Sequence, residues 1–225
     1  MATISAVEPQ KSTQLKKNKR FNVFIDQKYA FSVSEENLLK YKLKPALDLD
    51  EKEIKVITND EFNKRILDYC INFLSFRPRT EKEVTDYIIK KISTKQNIPF
   101  QQAKDSKIIS EIIKKLKKYK YINDKDFIAW WIKSRNDSKQ KGIRLIKLEL
   151  RQKGIAKDLL DQVSENSDDQ LKLALKALAK RKGKWQRTDP KLLKSKALYY
   201  LGSRGFDMET IKSAFAIYFK KVIKS

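Results

Sequence analysis

From about residue 59 to the C-terminus, apolar side chains recur at helical spacing in short blocks closed by caps or prolines. The first block, Phe62, Ile66, Tyr69, Cys70, Phe73 and Leu74, falls at i, i+4, i+7, i+8, i+11 and i+12 and stops before Pro78. That spacing lines one face of a helix. Thr80-Glu81-Lys82-Glu83 then reads as a capping box, in which the Thr hydroxyl and the Glu carboxylate satisfy reciprocal backbone N–H groups. Val84, Tyr87, Ile88 and Ile92 form the stripe behind it, and Ile108, Ile109, Ile112, Ile113, Leu116 and Tyr119 form the next. Asn123-Asp124 opens the helix of Phe127, Trp130 and Trp131. Ile143-Ile146-Leu150, Leu159-Leu160-Val163 and Leu171-Ala174-Leu175-Leu178 follow. Asp189-Pro190 places an N-cap before Pro at the first helical position, and Asp207 opens the last helix. About nine short helices result. Helices of this length bury their stripes only against neighbours.

The helices repeat. Leu150-Arg-Gln-Lys-Gly154-Ile155 and Leu201-Gly-Ser-Arg-Gly205-Phe206 share a helix end, a cation, a glycine cap and an apolar residue, 51 positions apart. Three modules of three helices are predicted, at 59–122, 123–166 and 167–225, each completing its core against the next. Residues 1–20 are polar and Lys-rich without periodicity and read as a disordered basic tail. In 21–58, the alternation of Phe21, Val23 and Ile25 with Tyr29, Phe31 and Val33 predicts a β-hairpin, and Ser34 caps a short helix after it. The predicted fold is mainly α: three tandem helix-turn-helix-like repeats in an elongated array, preceded by a small N-terminal β-hairpin and helix.

What the chain lacks removes most enzyme classes. There is no histidine, and the single cysteine, Cys70, supports neither an intrachain disulfide nor a Cys-rich zinc site. None of the five glycines begins a phosphate-cradling loop. No nucleophile, base or metal cluster stands out, so neither catalysis nor a cofactor is expected. No apolar run approaches the ~20 residues of a membrane span. The start of the chain does not read as a secretion signal, and a cytoplasmic protein is expected. Lys and Arg number 51 against 28 acidic residues, for a net charge of +23. The excess is spread over the helical part, which points to an anionic partner.

Four segments carry a family resemblance. Arg77-Pro-Arg-Thr-Glu-Lys-Glu-Val84 resembles the RPRSEKEL signature of the RecX family of RecA regulators. Tyr121-Ile-Asn-Asp-Lys-Asp-Phe127 is similar to its YLDDERF segment. Ser134-Arg135, Lys141-Gly142 and Leu148-Glu-Leu-Arg-Gln-Lys-Gly-Ile155 resemble its SR, KG and ELRQKGI elements in order. Arg204-Gly205-Phe206 resembles the end of its third repeat. The hairpin 21–33 looks like the β extension of the longer family members. In the first module, Ser93–Lys104 stands as an insertion in place of a short glycine turn, and the loop Gly183–Asp189 is also long. The resemblance implies a cytoplasmic bacterial protein that is not an enzyme, and a monomer is expected. It would dock in the groove of the RecA–DNA filament and restrain recombinase, ATPase and coprotease activities. Weak, salt-sensitive binding to single- or double-stranded DNA is expected beside it. The rival reading is a general nucleic-acid-binding helical protein with no need of RecA.

The candidate contact residues are Arg77, Arg79, Arg135, Lys141, Arg144, Arg151, Lys153, Lys180, Arg181 and Arg204. Arg144, Lys147 and Arg151 share a helix face by spacing, whereas the filament role follows from the resemblance alone. The lysine run Lys114–Lys120 is either a phosphate-facing surface or a solvated helix face. Trp185, among Lys180, Arg181, Lys184 and Arg187, either stacks on a base or folds back on the third module, the second being favoured. One of Trp130 and Trp131 faces the core. Gly202-Ser-Arg-Gly205 matches a KH-type loop only formally, since its second glycine serves better as a helix cap. Cys70 is expected to be an inert core thiol.

Overall fold

The computed structural model describes residues 2–10, 19–163, 167–185 and 189–222. They form two compact units: Met1–Phe73 with Ile88–Ile112, and Leu74–Tyr87 with Ile113–Ser225.

The first unit opens with strands β1 (Ala2–Pro9), β2 (Arg20–Ile25) and β3 (Lys28–Ser34). Helix α1 (Glu35–Lys40) and the two-residue strand β4 (Asp48–Leu49) follow. The sheet is antiparallel, in the order β3-β2-β1-β4. The predicted hairpin is present, with Phe21 opposite Val33 and Val23 opposite Phe31. Asp26 and Gln27 both take positive φ, +47° and +65°. That is the twist a two-residue hairpin turn demands, here without glycine. The strand β1 supports it: Asp26 N–H donates to the Thr3 carbonyl at 3.3 Å and Gln27 N–H to Ser5 Oγ at 2.9 Å.

β1 corrects the expected disordered tail at 1–20. Residues 4–9 pair along β2, Ala2 and Thr3 pair with β4, and Ile4 joins Val23, Val33, Leu43, Leu49 and Ile57 in one core. Ala2-Thr-Ile-Ser-Ala-Val gives weak alternation, and only the waiting edge of β2 turns it into a strand. The rest of that expected tail, 11–18, lies outside the described residues.

Helix α2 (Glu51–Ser75) begins eight residues before the predicted start. Asp50 and Glu53 form a capping box there, Glu53 N–H donating to Asp50 Oδ1 at 2.6 Å and Asp50 N–H to Glu53 Oε2 at 2.8 Å. From α2 the buried Glu61 carboxylate accepts from Ser34 N–H and Asn37 Nδ2, both at 2.9 Å, and meets Arg20 at 2.8 Å. This buried charge is paired and hydrogen-bonded, as burial requires. Cys70 is buried, and desolvation pushes its thiol up to about 12.

Ten further helices follow among the described residues: α3 (Glu81–Gln96), α4 (Phe100–Lys104), α5 (Lys107–Lys118), α6 (Asp124–Lys139), α7 (Ile143–Gln152), α8 (Lys157–Asp161), α9 (Ser167–Ala179), α10 (Lys182–Trp185), α11 (Pro190–Ser203) and α12 (Met208–Val222). α3 and α5 each contribute residues to both units.

The repeat extends to a third copy. Gly154 and Gly205 take φ +85° and +84° after α7 and α11, and Asn97 takes +52° after α3. Ile98, Ile155 and Phe206 follow them, and α4, α8 and α12 begin two residues later. Ala103, Leu160 and Ile211 are then buried at matching positions, as are Ile89, Ile146 and Ala197. Ser93–Lys104 therefore contains the repeat turn itself, with asparagine replacing glycine in the left-handed position. Asparagine tolerates that conformation better than other side chains with a Cβ.

In the second unit, Phe127, Ile128, Trp131, Ile143, Ile146, Leu150, Ile155 and Leu160 form one core. Ala174, Ala177, Leu178, Ala197, Leu201, Phe206, Ile211 and Ala214 form the other. Trp131 is the buried member of its pair and Trp130 is half-buried. Trp185 is also half-buried, edge-on to Tyr200 with ring centroids 5.6 Å apart.

Candidate interaction surface

Two joints bring the sequence motifs together. At each, the residue before a cap glycine offers its carbonyl to the N-terminus of an earlier repeat's second helix. Thr80, the N-cap of α3, donates its hydroxyl to the Lys153 carbonyl at 2.8 Å. Gly142, the N-cap of α7, donates its N–H to the Arg204 carbonyl at 2.8 Å. Lys153 and Arg204 are the same 51 positions apart as the repeat turns.

The second joint is too close for side chains. A Cβ on Gly142 would stand 2.3 Å from the Gly205 carbonyl oxygen, and one on Gly205 would stand 2.4 Å from Leu145 Cβ. Gly205 thus serves packing as well as its positive φ. Gly202, the other glycine of the KH-like match, has open space around it.

Around the joints the cations converge on two carboxylates. The capping box forms as predicted, with Glu83 N–H donating to Thr80 Oγ1 at 3.1 Å and Thr80 N–H to Glu83 Oε2 at 3.4 Å. Glu83 also takes a two-pronged contact from Arg77, at 3.0 and 3.1 Å, and one from Lys153 at 2.6 Å. Burial alone would push this carboxyl up, but the hydrogen bonds and charges of Arg77 and Lys153 outweigh it and hold it at about 2. Glu149 accepts from Trp131 Nε1 at 3.0 Å, from Arg135 Nε at 2.7 Å and from Lys141. Burial opposes ionisation there too, and Lys141 and Arg135 bring its pKa below the ordinary value. Arg135 and Lys153 lie 3.9 and 4.6 Å from the Trp131 ring centroid, as cation–π partners.

The ten candidate residues therefore divide. Arg77, Arg135, Lys141 and Lys153 are held by Glu83, Glu149 and Trp131. Arg204 donates to the Lys139 carbonyl and lies 4.6 Å over Tyr200, which Arg181 also covers at 4.7 Å. Arg79 is half-buried, desolvation and the charge of Arg77 lowering its pKa. Arg144, Arg151 and Lys180 are exposed. On α7, Ile143, Ile146 and Leu150 turn inward, leaving Arg144, the half-exposed Leu148 and Arg151 on the outer face. Seven residues of helix set the two arginine Cα atoms ~10 Å apart.

Sequence reasoning did not single out Glu83 and Glu149 as acceptors for these cations. Glu83 was visible only as a capping residue. Glu149 stood only as a letter of the Leu148–Ile155 motif, and its acceptor role carried no signal because its partners lie 8, 14 and 18 positions away.

Three family models match the chain: the regulatory protein RecX N-terminal domain over residues 2–50, the second RecX three-helix domain over 123–163, and the third over 168–215. The regulatory protein RecX of Bacillus subtilis is 35% identical over 205 residues, covering 90% of this chain and 74% of its own. That of Listeria innocua is 37% identical, with coverage of 90% and 72%. A crystal structure of a regulatory protein RecX superimposes with a TM-score of 0.67 at 27% identity, covering 94% of this chain and 98% of its own. RecX from Lactobacillus salivarius shares the fold, with a TM-score of 0.58 at 23% identity over 69% of this chain and 96% of its own.

Proposed function

This chain belongs to the RecX family of regulatory proteins, and we propose that it regulates RecA by binding the RecA–DNA filament. It acts by occupancy rather than catalysis, in the cytoplasm and as a monomer, and its bound state restrains filament ATP hydrolysis and strand exchange. The contact surface is the outer face of α7, where Arg144 and Arg151 meet phosphate or carboxylate, and the exposed Lys180 is a separate candidate contact.

One observation carries the choice of surface. Among the ten candidates, the inward cations are engaged by Glu83, Glu149 and aromatic rings, whereas Arg144 and Arg151 face solvent on one helix. A cation already satisfied inside the protein has little left to offer a partner. An exposed one loses only water and screening ions. The engaged cations instead set the geometry of the repeats that present this face.

The test is single-strand-dependent ATP hydrolysis by the cognate RecA, titrated with this protein below one copy per RecA. Inhibition is expected at levels where bare DNA is barely occupied. The double variant Arg144→Glu, Arg151→Glu should lose at least about tenfold in potency, or ~1.4 kcal/mol, with an unchanged helical circular dichroism spectrum. Full inhibition by the folded variant would remove α7 from the contact. Inhibition only when the protein coats the DNA would favour a nucleic-acid binder with no need of RecA.

A further inference from the structure

The C-terminal end of α5 is unused by the reading above. In the stretch 114–121, Lys114, Lys115, Lys117, Lys118, Tyr119, Lys120 and Tyr121 are all exposed, and only Leu116 is buried. Tyr119 keeps 67% and Tyr121 49% of its surface in water. The backbone beneath them is held. Lys120 takes φ +58°, Lys120 N–H donates to the Lys117 carbonyl at 3.0 Å, and Tyr121 N–H donates to the Leu116 carbonyl at 2.9 Å.

Lysines at a helix C-terminus complement the helix dipole, which accounts for the cations. It does not account for two aromatic rings left in water on a fixed turn, where burial would be the favourable outcome. Acidic groups nearby are few: Glu81 engages Lys117 at 2.6 Å, Asp124 lies close enough for its charge to act on Lys117, and Glu111 is exposed one turn before Lys115. The Lys118 ammonium lies 5.9 Å from the Tyr119 ring centroid. The surface thus offers positive charge and flat π faces together.

We propose that residues 114–121 form a docking surface for single-stranded nucleic acid, in which the lysines neutralise successive phosphates and Tyr119 and Tyr121 each stack on an unpaired base. Charge complementarity selects a polyanion. The rings select one with exposed flat faces, because the bases of a duplex are already stacked on each other. An acidic peptide would satisfy the lysines and leave both rings in water. This surface does not depend on RecA.

The experiment uses the full chain without RecA and measures fluorescence anisotropy against two labelled oligonucleotides of about 15 nucleotides. One is oligothymidylate and the other an abasic strand of equal charge. The wild type should prefer oligothymidylate by about tenfold or more, or ~1.4 kcal/mol. Tyr119→Ser with Tyr121→Ser should erase that preference and leave the abasic affinity in place. Tyr119→Phe with Tyr121→Phe, which keeps both rings, should retain it. Lys114→Gln with Lys118→Gln should weaken both ligands alike and flatten their salt dependence. Equal wild-type affinity for the two strands, or a preference that survives the double serine variant, overturns the proposal. Displacement of oligothymidylate by polyglutamate of matched charge, as effective as by unlabelled oligothymidylate, would assign the surface to an acidic protein instead.

Discussion

Glu83→Gln is the sharpest probe of the joint that holds α3 against the end of α7. The wild-type carboxylate receives Arg77 through two nitrogens, Lys153 through a third, and the Thr80 N–H. Its pKa falls from an ordinary 4.5 to about 2 in the fold. At 1.36 kcal/mol per unit, the full shift sets a ceiling of about 3 kcal/mol. The side chain retains 20% exposure, and its three cationic nitrogens are themselves partly wet. Solvent screening brings the expected contribution to ~1–2 kcal/mol. The sign follows from the direction of the shift. A carboxyl whose folded pKa is depressed stabilises fully above its unfolded value, and the benefit disappears as pH falls through the folded value. The variant should therefore be ~1–2 kcal/mol less stable near pH 7. The gap should close between about pH 4.5 and 2. Glutamine keeps an oxygen for the Thr80 N–H, so the cap survives and the lost charge dominates. Urea unfolding followed by tryptophan fluorescence, repeated across pH, measures this, since Trp131 lies over Lys153. Equal stability of the two proteins at pH 7 would refute the reasoning. So would a gap that persists undiminished at pH 2.5.

Gly142→Ala should cost at least ~2 kcal/mol, because its new methyl would meet the Gly205 carbonyl at 2.3 Å. Gly202→Ala, with nothing near it, should stabilise by ~0.5–1 kcal/mol through helix propensity. Thermal melts of the pair test this, and a destabilised Gly202→Ala beside an unaffected Gly142→Ala would reverse the assignment. Cys70, its thiol pushed up to about 12, should resist thiol reagents at pH 8 in the native protein and react at once in denaturant. Fast native labelling would show that α2 opens at this position.

Much of this architecture was legible without coordinates, for a local reason. A helix is specified by side chains three and four positions apart, and its ends by residues within one turn. So Thr80-Glu83, Asn123 and Ser34 announced caps that the structure contains. The turns at Gly154 and Gly205 announced a repeat whose cap glycines take matching positive φ. The turn of the first module read as an insertion at Ser93–Lys104 because Asn97 stands for glycine there. The backbone conformation, not the residue type, is what recurs.

What the chain order did not reveal depends on distant partners. β1 is a strand because β2 presents unpaired backbone groups to it, and its own alternation is too weak to declare that. The division of the cations is of the same kind. Arg77, Arg135 and Lys141 look in sequence like Arg144 and Arg151: basic residues in helical or flanking segments of a basic chain. Only the folded geometry brings Lys153 beside Glu83, 70 positions away, and Arg135 onto Glu149 and Trp131. The sequence by itself determined most of the helix caps and the repeated Gly154 and Gly205 turns, because those choices rest on neighbours a few bonds apart. The tertiary structure alone decided which charges are spent inside the protein and which remain for a partner, because an ion pair forms wherever opposite charges are brought within reach, whatever their separation along the chain.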